Sequence, residues 1–188
     1  MKGLKLAAAL FIGVTMFSCG SSSSNQAANA DGFAEIEADI KSEFGNDAYF
    51  TDLVIMYDEN IGNTISTTVT DDPASLKMGE WNQVQGTWTQ TSEVTLELPE
   101  GTEAKDFMYQ LNDEISLKTL GGLVEQSMEK LTSEKSIENP KLEMAFINYP
   151  DNGDRSKAEY IVKLEPASGG TSFSFSYELN GEFIEMDY

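Results

Sequence analysis

The side chains able to do chemistry in this sequence are carboxylates, hydroxyls and lysines, with Arg155 as the only arginine. The 188 residues carry 32 acidic and 12 basic groups, no His, one Cys and a formal charge of -20. Without His, Ser-His-Asp and Cys-His catalysis are excluded, and so are His-ligated zinc and haem. A single Cys excludes an intramolecular disulfide, a Cys-rich zinc site and a Cys-ligated iron–sulfur cluster. Phosphate-backbone binding needs Lys and Arg that this balance does not supply, so no nucleic-acid partner is expected. Binding of a folded face to anionic lipid is disfavoured for the same reason. No cofactor or metal is implied, and no catalytic residue can be named.

Paired carboxylates recur: Glu35 and Asp39, Asp71 and Asp72, Glu182 and Glu185. General acid–base work needs two acids at a defined separation in a cleft, and spacing alone supports only solvated faces. Asp151-Asn152-Gly153-Asp154 lacks the alternating register and twelfth-position Glu of a calcium loop, so a plain turn is expected. Ser127-Met128-Glu129-Lys130 matches S-x-x-K without the S-D-N and K-T-G boxes, and reads as coincidence. Among the aromatics, Trp81 and Trp88 are candidate binding residues if either faces an uncovered sheet surface. Packing on a helix-covered face is the preferred reading.

These groups need elements to position them. Phe33, Ile36, Ile40 and Phe44 share one helical face, and Gly45 supplies a stop. A second helix is expected from about Ser116, weakened early by Gly121-Gly122. Each helix precedes four strand-like segments. The first set is Tyr49 to Tyr57, Thr64 to Thr70, Met78 to Val84, and a run in which Trp88, Val94, Leu96 and Leu98 share parity and therefore a face. Phe107, Tyr109 and Leu111 alternate as a linking strand. The second set alternates at Leu142 to Phe146, Tyr160 to Leu164 and Phe173 to Leu179, and returns from Phe183 to Tyr188. Asn180-Gly181 is the strongest hairpin signal, as a type I′ turn needs positive φ at both central residues.

The expected fold is α+β: two αββββ-like repeats, an antiparallel sheet meander with one helix per repeat packed on one sheet face. The expected divisions are 1–18, 19–31, 32–101 for the first repeat, and 102–188 for a linking strand and the second repeat. This order resembles, at the level of architecture, the tandem αββββ form of the β-lactamase inhibitor protein and the small lipoprotein and PepSY-type modules of bacterial envelopes. Fold does not carry function.

Residues 1–18 have the form of a secretory signal: Lys2 and Lys5, then an apolar run from Leu6 to Phe17, too short to span a bilayer. Met16-Phe17-Ser18-Cys19-Gly20 resembles the lipobox of bacterial lipoproteins, in a relaxed form associated with the Bacteroidetes type. The resemblance implies cleavage before Cys19 and lipid on Cys19, hence a membrane partner through that lipid. The small polar stretch from Ser21 to Ala30 is a tether. Loss of Lys2 and Lys5 leaves 10 basic groups (12 − 2) against 32 acidic ones.

The outer membrane, facing the periplasm, is the expected location, with surface display the alternative. The expected function is non-catalytic: binding a protein or small ligand through an open sheet face or rim, or an assembly role on an outer-membrane machine. The alternative is a carboxylate-based hydrolase of envelope glycans. The sequence implies no oligomeric state.

Overall fold

The computed structural model describes residues 26–188. The first half is a helix α1 (Ala30–Phe44) and strands β1 (Tyr49–Asp58), β2 (Gly62–Thr70), β3 (Lys77–Val84) and β4 (Thr87–Thr95). The second half is α2 (Leu117–Lys135), β5 (Lys141–Asn148), β6 (Glu159–Glu165), β7 (Phe173–Glu178) and β8 (Phe183–Asp187). All eight strands form one antiparallel sheet in the order β4-β3-β2-β1-β5-β6-β7-β8. The fold is therefore mixed α+β with an open meander sheet. Each half steps outward from the centre, where β1 pairs with β5.

Both helices lie on one face. Asn29 caps α1 by accepting a hydrogen bond from the Gly32 amide, and Ser116 caps α2 by accepting one from Thr119. Phe33, Ile36 and Ile40 of α1 are fully buried, as are Leu117, Leu120 and Val124 of α2. The helices run antiparallel and cap each other: Glu37 accepts from the Leu117 amide at 2.7 Å, and Glu125 accepts from the Ala30 amide at 3.1 Å. Carboxylates at helix N-termini are favoured by the orphan amides there. Gly121 marks the crossing. A Cβ on it would collide with the Asn29 carbonyl and come within 2.8 Å of Phe33 Cβ. The helical weakness read in Gly121 is thus the condition for close packing.

Under the helices runs a continuous cross-strand row, Trp88–Gln83–Ile65–Ile55–Ala145–Val162–Phe175–Met186. The adjacent row on the opposite face is Thr89–Asn82–Ser66–Val54–Phe146–Ile161–Ser176–Glu185. Side chains alternate between faces along a strand, so one chain writes both rows.

Three expectations need correction. Trp88 and Val94 do not share a face. Trp88 pairs with Gln83 on the helix side, whereas Val94 pairs with Met78 on the other. A bulge at Thr91, between the Trp81–Gln90 and Glu80–Ser92 pairs, shifts the parity by one. Val94, Leu96 and Leu98 join Met78, Ala104 and Met108 in a small separate core at that corner.

The Asn180-Gly181 turn is not type I′, because only Gly181 has positive φ. The Gly181 amide donates to the Glu178 carbonyl, and the Glu178 amide to the Glu182 carbonyl. That is a type I turn closed by a left-handed glycine. Both central residues have positive φ instead at Gln85 and Gly86. The linking strand is reduced to a single bridge, Phe50 to Tyr109, after a 3-10 turn at Ala104–Phe107.

Candidate functional site

Trp81 and Trp88 lie half-buried on the helix side, near the β4 edge. Both rings meet Phe44 of α1 edge-on, with centroids at 5.4 Å and 4.9 Å. They pack against α1, away from the uncovered face. Cys19 and the signal and tether readings before Gln26 lie outside the described residues.

Of the paired acids, Asp39 accepts from Gln83 at 2.5 Å, and Asp72 caps a turn by accepting from the Ala74 amide. Asp151 to Asp154 form a turn in which Asn152 and Asp154 accept from amides two residues on. Among the described residues, no three His, Cys, Asp or Glu converge for a metal. Ser127 is fully buried and donates to the Leu123 carbonyl while sharing a 2.7 Å hydrogen bond with the Tyr177 hydroxyl. Lys130 is paired with Glu134. Those bonds tie α2 to the sheet and leave the S-x-x-K spacing without a nucleophile's surroundings.

The face without helices carries hydroxyls and amides toward β4 and an apolar centre at Val54, Met56, Met144 and Phe146. Asp52 faces Thr68, which faces Glu80. Burial holds the Asp52 carboxyl above its ordinary value of 3.8, and the Glu80 charge adds to the rise. Glu80 in turn accepts from the Ser92 hydroxyl.

A built cavity lies at the rim. β1 and β5 pair only over Val54–Met56 and Met144–Phe146. Beyond that the two strands splay, and Tyr109 takes the vacated place beside Phe50 through two backbone hydrogen bonds of 2.8 and 2.9 Å. The turn after β5 closes the far side. Gly153 has φ +73, and a Cβ there would stand 2.8 Å from the Asp106 carbonyl oxygen. The resulting cavity of about 590 Å³ is lined by Tyr49, Tyr109, Tyr149, Lys105, Asp106, Gln110 and Arg155 among others. Sites for small ligands span about 300–1,000 Å³.

The Tyr109 and Tyr149 rings lie 5.4 Å apart, tilted by 36°. Tyr109 is only 4% exposed, and its hydroxyl has no hydrogen-bond partner among the described residues. Burial pushes its phenol well above the ordinary value, with Asp52 and then Tyr160 adding to the rise. Burial also raises Tyr149, opposed by Arg155 and assisted by Asp106. Arg155 pairs with Glu114, and Lys105 pairs with Glu103 at 2.8 Å. Such exposed pairs contribute little to stability. They do set the local charge.

The chain enters the fold at the opposite pole. Asn63 donates to the Gln26 carbonyl at 2.9 Å beside the β1–β2 turn. A second cavity of about 710 Å³ sits there, lined by Gln26, Ala28, Tyr57, Ile61 and Gln85. β1 spans the distance between the poles, a rise of about 30 Å. Sequence reading missed the rim cavity because its residues come from segments far apart along the chain. The Asp151 to Asp154 turn and the Tyr109 alternation were its only visible traces.

No family model, no curated protein and no solved structure matches the chain. Among the described residues, no helix is long and apolar enough to cross a membrane.

Proposed function

We propose that this chain is a lipid-anchored binding protein of the bacterial cell envelope, without catalysis, held by lipid on Cys19 and meeting its partner at the sheet rim. The carrying observation is polarity. The chain enters at the β1–β2 turn, and the Tyr109 cavity opens at the other end of β1. A lipid attached at Cys19 tethers the first pole and leaves the second facing outward. The seven steps from Cys19 to Gln26 reach about 25 Å at most, so the domain stays close to the bilayer. The chain's net negative charge is repelled by anionic headgroups, which disfavours docking of the folded domain on the bilayer. The outer membrane facing the periplasm is the proposed location, with surface display second.

Fractionation of cells expressing the chain and its Cys19→Ala variant tests the anchor. Native chain is expected with detergent-soluble membrane protein, and the variant in the soluble envelope fraction. Native chain free of membranes sinks the reading. An assembly role would show as a membrane partner captured by native chain and lost with Cys19→Ala.

The halves are read as a duplication. Register shifts fall at Phe50/Asp52 and Leu142/Met144, 92 positions apart (142 − 50). The reciprocal caps Glu37 and Glu125 lie 88 apart (125 − 37).

The second reading, glycan hydrolysis, has one observation in its favour: Asp52 raised beside Glu80. It predicts that the purified chain releases reducing ends from envelope glycan and that Asp52→Asn abolishes release. Glycan retained without release leaves the binding reading in place.

A further inference from the structure

We propose that β8 is a docking edge to which a partner polypeptide adds one extended strand, with basic side chains on the uncovered face and apolar ones on the helix face. This surface is separate from the rim cavity, and the inference goes beyond the reading of an anchored binder.

The sheet has two edges, β4 and β8. An edge strand presents backbone N–H and C=O groups with no strand beside them, and proteins blunt such edges with bulges, charges, Pro or a covering element. β4 is blunted. Its large apolar residues, Trp88 and Val94, are half-buried. It bulges at Thr91, whose hydroxyl donates to the Glu80 carbonyl at 3.1 Å. Its one acid, Glu93, pairs with Lys77.

β8 differs on each count. Phe183 and Ile184 within it, and Tyr188 just after it, are exposed. Its bulge, between the Ser176–Glu185 and Tyr177–Phe183 pairs, falls at apolar Ile184. It holds neither Lys nor Pro. Glu178, Glu182, Glu185 and Asp187 surround it, all exposed. Among the described residues none of these four carboxylates is ion-paired. Charges of one sign turn away another acidic edge and admit a basic one.

The pairing assigns the two faces. Glu185 and Asp187 stand opposite Ser176 and Ser174, on the uncovered face. In the row Met144–Lys163–Ser174–Asp187 the cation stands two strands inward. Phe183 and Met186 stand opposite Tyr177 and Phe175, on the helix face. There α2 already supplies cations: Lys130 lies 4.4 Å from the Phe183 ring centroid, and Lys135 lies 4.7 Å from that of Tyr188. Unanswered negative charge is thus on the uncovered face, and apolar surface is on the other. A strand alternates its side chains with a period of two, so alternating basic and apolar residues meet both demands. In strand addition main-chain hydrogen bonds give affinity and the alternate side chains give specificity. A second copy of this chain fits poorly. It would bring its own Glu185 and Asp187 against the same acids, and each chain has a formal charge of -20.

The test is titration of the isotope-labelled, purified full chain with an acetylated and amidated heptapeptide of alternating lysine and valine. Saturable binding is expected, with amide exchange in β8 slowed about tenfold and that in β4 unchanged. Proline in place of the central valine keeps the charge and removes a strand donor, so binding should weaken about tenfold. An alternating glutamate–valine peptide should not bind. Glu185→Lys combined with Asp187→Lys should weaken binding of the lysine peptide about tenfold and leave the thermal midpoint level, because both side chains are exposed.

Lack of saturable binding overturns the proposal. Equal binding of the proline peptide does so too, as it would mean attraction by charge alone. Protection on β4 instead of β8, or affinity unchanged by the double charge reversal, also overturns it. Slowed β8 exchange that grows with protein concentration in the absence of peptide assigns the edge to a second copy and overturns the foreign strand. None of these results bears on the Cys19 anchor, which fractionation decides separately.

Discussion

The β1–β4 and β5–β8 halves of the sheet place different chemistry under the two helices. In the second half, β7 sends Phe175 into the core opposite Val162, both fully buried. In the first half, β3 holds half-buried Trp81 opposite the buried hydroxyl of Thr67. The link from third strand to helix differs in the same way. Gln83 donates to the Asp39 carboxylate, whereas the Tyr177 and Ser127 hydroxyls bond each other in a fully buried setting. Asn63, Thr67, Thr70 and Gln83 make the first half's core polar, against Ser127 alone among the buried polar residues of the second. Apolar burial carries most of the driving force for folding. The second half is therefore the stability centre, and the first trades apolar area for directional bonds.

The largest test of that asymmetry is truncation of the matched aromatics. Phe175→Ala is expected to cost about 3–5 kcal/mol in urea unfolding, and Trp81→Ala distinctly less because its ring is half in solvent. Equal losses would remove the asymmetry. Next is Gly121→Val at the helix crossing, where both halves contribute. Overpacking against Asn29 and Phe33 should cost about 1–3 kcal/mol and separate the helices without disturbing the strands. Retained stability would mean that the crossing relaxes freely.

The polar links give smaller effects of predictable order. A hydrogen bond to a charged group contributes about 1.5–3 kcal/mol and a neutral one about 0.5–1.5. Asp39→Ala should therefore destabilise more than Ser127→Ala. The reverse order would place the stronger link in the second half.

The smallest effect is in pH. The Asp52 carboxyl is raised by burial and by Glu80, so its protonated form favours the fold. Stability is expected to decline as pH rises from 3.8 through the raised value, and Asp52→Asn should remove that slope. Asp58 has the opposite sign. Amides of Asn60 and Ile61 lower it, so its contribution is present above 3.8 and lost as pH falls below it. Denaturation midpoints on the two sides of that pH separate the variants, and an unchanged Asp52→Asn profile would show that the raised form has no weight in folding.

Much of the fold was legible because its signals are local. Helical spacing of Phe33, Ile36 and Ile40 fixed a buried stripe, and alternation at Phe173, Phe175 and Tyr177 marked a half-covered strand. Parity failed at Trp88 and Val94 because one extra residue at Thr91 turned the strand over. The bulge leaves no compositional trace. Asn180-Gly181 was placed correctly as a turn but given the wrong type, since an Asn tolerates positive φ without requiring it.

By itself the sequence determined what chemistry is absent, which segments are helices and strands, and how acidic the surface must be. Those follow from counts and from periods of a few residues. Only the tertiary structure decided that β1 and β5 meet at the centre and splay at one end, so that Tyr109, Tyr149 and Arg155 converge on one cavity. It also decided that both tryptophans turn toward α1. Convergence across some forty residues of chain depends on strand register and loop closure, and neither is written in the spacing of neighbours.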